Sequence, residues 1–180
     1  VTGDEGVFAT TADGLGKLKP VLPGGTVTYG TQTYPADGNA GVLVTSKEKA
    51  AELSRDPKVT IRIVSYGQGR ADKGFMPMAN VPASGQALER AGIRMKDIKA
   101  VKTHNPFAVN DIYFARQMGV ELSAMNHYGS SLVWGHAQAP TGARLLMELI
   151  EELVSVGGGY GLFTGCAAGD TALAIVVKVN

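Results

Sequence analysis

Met125-Asn126-His127-Tyr128-Gly129-Ser130-Ser131-Leu132-Val133-Trp134-Gly135-His136-Ala137-Gln138-Ala139-Pro140-Thr141-Gly142-Ala143-Arg144, continued by Leu145 to Val156, is the stretch whose reading decides the fold. A run of small and apolar residues delivers a histidine, and a helix begins directly after it. Leu145, Leu146, Leu149, Ile150 and Leu153 recur at the spacing of one buried helix face. Arg144, Glu148, Glu151, Glu152 and Ser155 fall on the opposite, polar face. Pro140-Thr141 supplies a start signal, with the threonine as candidate cap for the free N–H groups of the first turn. Gly157-Gly158-Gly159 supplies the stop. His136 is thus placed on a loop before a helix N-terminus, where the positive end of the helix dipole favours neutral imidazole.

Working outward, the flanking segments alternate between strand and helix signals. Val59 to Tyr66 alternates apolar and polar residues and predicts a strand. Gly67 to Met78 reads as irregular. Pro82 to Ala91 predicts a helix with Ala87, Leu88 and Ala91 inward and Gly92 as its stop. Ile98 to Thr103 predicts a strand running into His104-Asn105-Pro106-Phe107, and Ala108 to Met118 a helix ended by Gly119. Tyr160 to Cys166 and Ala172 to Val179 predict two closing strands joined as a hairpin by Ala167-Ala168-Gly169-Asp170. Nearer the start, Val42-Leu43-Val44 reads as a short strand, and Ser46 as the cap of a helix over Lys47 to Leu53, which Asp56-Pro57 ends. Val1 to Thr33 shows no sustained period. An irregular opening of that length predicts contact with something outside the chain, because structureless loops beyond roughly 12–15 residues are uncommon in compact domains. The fold class is α/β: a mixed, mostly five-stranded sheet covered by helices on both faces and ending in an antiparallel pair.

Composition narrows the function classes. The 180 residues carry a net charge of +1, and Lys and Arg are spread along the chain, so no basic patch marks a nucleic-acid partner. No apolar run approaches the ~20 residues of a membrane span. The one cysteine, Cys166, has no internal partner for a disulfide, which fits a reducing compartment such as the cytoplasm. Three histidines and one cysteine without short-spaced pairs make no metal site. No Lys-Ser/Thr follows the glycine pairs, so they are not phosphate loops. The chain starts at Val1 within a loop-like segment, which predicts a fragment or a processed subunit.

Three polar groups fall at element ends, where α/β sheets build sites: His104 after a strand, His136 before a helix, and Cys166 at a strand-to-turn junction. Each has two readings. Cys166 is either a buried small hydrophobe or a thiol that a substrate reaches between small neighbours. His136 is either a core histidine bonded to a carbonyl or the group that activates a thiol. His104 has the same alternatives, and His127 reads as structural or surface. Met76 and Trp134 read as pocket lining.

Taken together these motifs resemble the thiolase family. Gly135-His136 followed by Thr141-Gly142-Ala143-Arg144 and an amphipathic helix resembles the GHPxGxSGAR signature. Gly161-Leu162 to Cys166 and the last strand resemble the C-terminal cysteine motif. His104-Asn105-Pro106-Phe107 stands where thiolases carry NEAF or, in the sterol-carrier-protein type, HDCF. Asp4-Glu5-Gly6, Lys17-Leu18-Lys19-Pro20 and Gly25-Thr26-Val27-Thr28 resemble the segment after the thiolase loop domain. The resemblance implies residues 1–36 as an irregular segment after that loop domain, 37–57 as the last strand and helix of an N-terminal half, and 58–180 as the C-terminal domain, a βαβαβαββ unit.

By the same resemblance the function is that of the C-terminal part of an acyl-CoA C-acyltransferase, which cleaves or condenses β-oxoacyl-CoA thioesters. Coenzyme A is then a substrate, with no covalently bound cofactor. The nucleophilic cysteine is expected in the N-terminal half, and the complete protein is expected to be a homo-oligomer. An isolated chain is expected to be inactive and to expose an apolar face. His136 takes the role of activating the nucleophile, Cys166 that of general acid and base, and His104 that of holding the oxyanion. The backbone N–H of Ala168 matches an oxyanion-hole position, and Thr33 falls near the place of a serine that lines the CoA pantetheine. A non-catalytic scaffold subunit and a condensing enzyme of the ketoacyl or hydroxymethylglutaryl synthase type are the alternatives. The departures, Ala137, Ala139, Ala167-Ala168 and Asn105-Pro106, keep the reactive side chains and change the pocket. Trp134 and Met76, as pocket lining, point to a bulky or aromatic acyl group.

Overall fold

The structure, a computed structural model, describes Gly3 and residues 8–180. Asp4-Glu5-Gly6 lies outside the described residues. The chain runs through α1 (Ala12–Gly16), α2 (Lys47–Leu53), β1 (Ile61–Arg70), a 3-10 turn (Met76–Ala79), α3 (Asn80–Ala91), β2 (Ile98–His104), α4 (Ala108–Met118), α5 (Ser131–Trp134), α6 (Thr141–Ser155), β3 (Gly159–Ala167) and β4 (Thr171–Val179). The strands form one mixed sheet in the order β1-β4-β3-β2. β4 pairs antiparallel with β1 and β3, and β2 pairs parallel with β3.

The sheet has four strands, not five. Among the described residues Val42, Leu43 and Val44 take no strand partner, and they stand 40%, 74% and 69% exposed. An apolar triplet with neither a ladder nor a covered face lacks what holds a strand. On the outer edge of β2, Met125 makes a single parallel bridge to Val101. Asn126 follows with φ 53°, which turns the chain away before a ladder can form.

Alternation along β3 and β4 builds a core on each face. Leu162, Ala172, Ala174 and Val176 face Ala83, Ala87 and Leu88 of α3 and Phe114 of α4. Phe163, Val177 and Val179 face Leu145, Leu149 and Leu153 of α6. Successive side chains of a strand point to opposite faces, so a sheet covered twice needs the nearly continuous apolar strands seen here.

β1 continues through residues that read as irregular. Gly67 and Gly69 sit under α3 so closely that a Cβ on Gly67 would lie 2.1 Å from Ala83 O, and one on Gly69 2.3 Å from Ala79 O. The glycines break the strand pattern in the sequence because a helix backbone occupies the place of their side chains.

Glu148 and Glu152 also depart from the expected polar face of α6. Lys102 of β2 is fully buried on that side of the sheet. Its Nζ lies 3.6 Å from Glu148 Oε2 and 3.9 Å from Glu152 Oε2, and donates to Gly129 O. Glu152, only 4% exposed, bonds His127 Nδ1 through Oε1 at 2.6 Å, which makes His127 a structural residue. Removing one partner of a buried ion pair leaves the other charge uncompensated. Lys102→Met is therefore expected to cost about 3–4 kcal/mol in denaturant unfolding. Adding Glu148→Gln and Glu152→Gln should recover part of that loss.

Candidate active site

The parallel register sets His104, the last residue of β2, beside Gly165 of β3. Cys166 follows, paired with Ala172 of β4. His136 arrives from the other direction, on the loop between α5 and α6. The two imidazoles meet with ring centroids 4.3 Å apart and planes inclined by 38°. His104, His136 and Cys166 thus come from separate elements to the same end of the sheet.

The loop that carries His136 is held by the segment over residues 31–36. Thr33 N donates to Pro106 O at 2.8 Å, Ala108 N to Thr31 O at 2.9 Å, and His136 N to Tyr34 O at 2.8 Å. The Thr33 hydroxyl donates to Ser131 O. Gly135 lets this strap pass: at φ 79°, a Cβ there would lie 2.6 Å from Ala36 Cβ and 2.8 Å from Tyr34 Cε2. This part of the irregular opening thus contacts the chain's own histidine loops.

Thr141 does not cap α6. Pro140 holds the N-cap position without a side-chain bond, and Thr141 is the first helical residue. Its hydroxyl donates to Ala137 O at 2.6 Å and lies 2.9 Å from His136 Nδ1. A hydroxyl has one proton, and here the Ala137 carbonyl takes it. Nδ1 of His136 must then be the donor to Thr141 Oγ1, which leaves Nε2 with a free lone pair. Burial holds the His136 pKa below 6.5, so the ring stays neutral near pH 7. Sequence reasoning reached the same protonation state through the helix dipole, whereas the cause here is burial.

His104 is 7% exposed, and its Nδ1 lies 2.6 Å from Ser131 Oγ. Burial first, and then the neighbouring His136, lower its pKa to about 4. Both rings are therefore neutral at physiological pH, as two imidazoles in contact require.

Neither histidine hydrogen-bonds Cys166. Its partner is Asn110 of α4, whose Nδ2 donates to Sγ at 3.3 Å. Burial raises the thiol pKa, partly offset by that bond and by a backbone bond. A thiol that keeps its proton suits an acid, and it argues against a Cys–His hydrolase with Cys166 as nucleophile.

Ala168 stands exposed in the turn after Cys166. Trp134 donates Nε1–H to Tyr128 O at 2.8 Å and lies under Arg144, with Cζ 5.5 Å from the ring centre. Met76 opens the 3-10 turn that precedes α3. The Trp134 contacts direct that side chain towards Tyr128 and Arg144.

Sequence reasoning missed the polar frame below the histidines. Asp111 accepts hydrogen bonds from Thr103 Oγ1 at 2.5 Å, Asn105 Nδ2 at 2.6 Å and Asn126 Nδ2 at 3.1 Å. Asn105 Oδ1 accepts from Leu132 N at 3.1 Å. The frame ties both neighbours of His104 to α4 and α5. Its sequence signal was Asn110-Asp111 in the first turn after Phe107, among otherwise apolar helix residues. Among the described residues no group of three or more His, Cys, Asp or Glu side chains is disposed to hold a metal ion.

Comparison with known proteins gives a consistent result. The family profile described as thiolase, C-terminal domain, matches residues 57–179. An acetyl-CoA acetyltransferase of Syntrophomonas wolfei is 35% identical over 178 residues, covering 97% of this chain and 44% of that protein. The crystal structure of the Bacillus anthracis acetyl-CoA acetyltransferase superposes with a TM-score of 0.89 at 30% identity, covering 98% of this chain and 45% of that one. That of human mitochondrial 3-ketoacyl-CoA thiolase in complex with CoA gives 0.81 at 28% identity, covering 95% and 43%. The chain thus spans less than half the length of the relatives it matches.

Proposed function

The chain belongs to the thiolase family, and from that premise we propose that it is the C-terminal part of an acyl-CoA C-acyltransferase acting on β-oxoacyl-CoA. The observation that carries this reading is the neutral pair His104–His136 at the strand end that also bears Cys166. In the cleavage direction a cysteine of the N-terminal half attacks the β-carbonyl, and His136 Nε2 takes its thiol proton. Collapse of the adduct breaks the Cα–Cβ bond and leaves the acyl group on that cysteine and an enolate of the departing thioester. His104 accepts the Ser131 hydroxyl proton at Nδ1, so that an Nε2–H is free to donate to the enolate oxygen. One such donor is worth about 3–4 kcal/mol in comparable oxyanion holes. Cys166 S–H then protonates the α-carbon. Its thiolate recovers a proton from incoming CoA–SH, whose sulfur takes the acyl group, and the released cysteine recovers its proton from His136. Condensation is the same sequence reversed.

Coenzyme A is on this reading the substrate that enters and leaves, and Thr33 and the Ala168 N–H remain candidates for its contact and for a second oxyanion hole. The partner is the N-terminal half. It is placed against the groove along α6, which Val42, Ile61, Tyr128, Met147 and Ile150 line. Apolar groups left open there are what a packed half-domain would cover.

The test is to mix the 180-residue chain with the N-terminal half of a matching thiolase and follow CoA-dependent loss of a β-oxoacyl-CoA. Turnover is expected from the mixture and from neither piece alone. A well-formed complex of the two halves that turns over no acyl-CoA in either direction would instead favour the scaffold reading.

A further inference from the structure

Asn110 is 1% exposed, in the first turn of α4. A carboxamide can make up to four hydrogen bonds. Among the described residues this one makes a single side-chain bond, Nδ2–H to Cys166 Sγ at 3.3 Å. Its Oδ1 is buried without a partner among the described residues. An orphaned buried acceptor keeps its whole desolvation cost, and an apolar residue would fill the space without it. The amide therefore has one polar contact to justify its place, and that contact is the sulfur.

A thiol sulfur is a weak acceptor, whereas a thiolate is a charged one and binds an N–H donor more strongly. The bond consequently strengthens when Cys166 loses its proton. It also engages a sulfur lone pair on the α4 side, which leaves the S–H to point elsewhere.

We propose that Asn110 is the positioning residue of Cys166, directing its S–H away from α4 and steadying the thiolate each time the proton is given up. The inference rests on the reading of Cys166 as acid and base, and it adds to that reading the group that makes the sulfur suited to the task. The other titratable groups at this end of the sheet are His104 on β2, His136 before α6, Asp111 beside Asn110, Asp170 in the β3–β4 turn, which accepts from Gly74 N, and Arg70 at the end of β1. Both histidines are neutral above pH 7, and Asp111 is bonded to Thr103, Asn105 and Asn126 rather than to the sulfur.

The 180-residue chain contains one cysteine, so alkylation of it by iodoacetamide reports this thiol alone. The rate is to be followed from about pH 6 to about pH 12, past the raised pKa of the buried thiol, in the native chain, in Asn110→Asp and in Asn110→Leu. The aspartate keeps the shape of the amide, which protects the experiment if the leucine variant folds poorly. Because only the thiolate reacts, both variants are expected to be about tenfold slower near pH 8, the aspartate more so, and to converge on the native rate at high pH. Convergence separates an effect on ionisation from one on access. Equal rates throughout, faster reaction in the variants, or a slowing that is the same at every pH would each overturn the proposal. Faster reaction would mean that the amide presents Oδ1 to the S–H and holds the neutral thiol instead. Alkylation needs no turnover, so an inactive mixture of the two halves with this pH signature intact would count against the thiolase activity and not against Asn110.

Discussion

His136→Ala, in the mixture of the two halves, is expected to lower β-oxoacyl-CoA cleavage by roughly 10²–10⁴-fold, the range that a positioned acid or base supplies. The structure defines which nitrogen is free for the proposed step. Thr141 gives its only proton to Ala137 O, so His136 keeps its own on Nδ1 and offers Nε2. Thr141→Val removes the acceptor for that Nδ1–H and lets the ring adopt the wrong tautomer. A smaller loss, about tenfold, is expected from that change, and it should appear in kcat rather than in KM. The pH dependence follows from the direction of the pKa. Burial lowers it from 6.5, so His136 remains an unprotonated base further into acid than a free histidine. The acid limb of kcat/KM should accordingly lie below 6.5. A limb at or above the free-histidine value would show that His136 is not the base that sets it.

Legibility in the sequence followed local physics. α2 and α4 lie where their caps and stops placed them, because Ser46 accepts from Lys49 N and Gly119 takes the left-handed conformation that ends a helix. Helix termination is a matter of the nearest few residues, and the sequence contains them all. Long-range arrangements were less visible. The end of β1 was hidden by Gly67 and Gly69, whose meaning is the proximity of α3. Glu152 reads as solvated in the sequence, and only the fold sets Lys102 of β2 against it. Thr141 looked like a cap because a threonine beside a helix start usually is one, and its actual partner precedes it by five residues. Of the candidate site, His104, His136 and Cys166 stand out by their positions at element ends, and the resemblance to thiolases gives them their proposed roles. The groups that hold them do not stand out: Asn110, Asp111, Asn126 and Ser131 are polar residues whose ordinary interpretation is a turn or a surface. Only the contact with Cys166, with the Thr103–Asn105 segment or with His104 gives each one its use.

Asp111→Ala is expected to cost roughly 2–6 kcal/mol of stability and to weaken the His104–His136 pair with it. The Thr103 hydroxyl and an Asn105 N–H lose their acceptor at once, while Asn126 Nδ2 keeps Thr103 Oγ1, and each buried donor left without one costs about 1–3 kcal/mol. Thr103 and Asn105 are 1% and 5% exposed, so water cannot readily replace the carboxylate. Both flank His104, and Asn105 also binds Leu132 N in α5, so the damage spreads to the chain segment that carries Ser131. Asp111→Asn separates charge from shape. Burial raises the Asp111 pKa above 3.8, against the three hydrogen bonds that lower it. The folded protein therefore binds this proton more tightly than the unfolded chain does. Asp111's contribution to stability is fullest below its unfolded pKa and declines as pH rises through the folded one, the reverse of a salt-bridged aspartate. Denaturant unfolding of the native chain at a series of pH values from about 3 upward should show that decline beginning near 3.8. In Asp111→Asn this component should vanish, while stability falls by less than in the alanine variant because the amide oxygen still accepts part of the network. An unchanged pH profile in Asp111→Asn would mean that the hydrogen bonds outweigh burial and that the carboxylate is held charged throughout. The frame beneath His104 would then act as a fixed anion rather than as a group that yields to protonation.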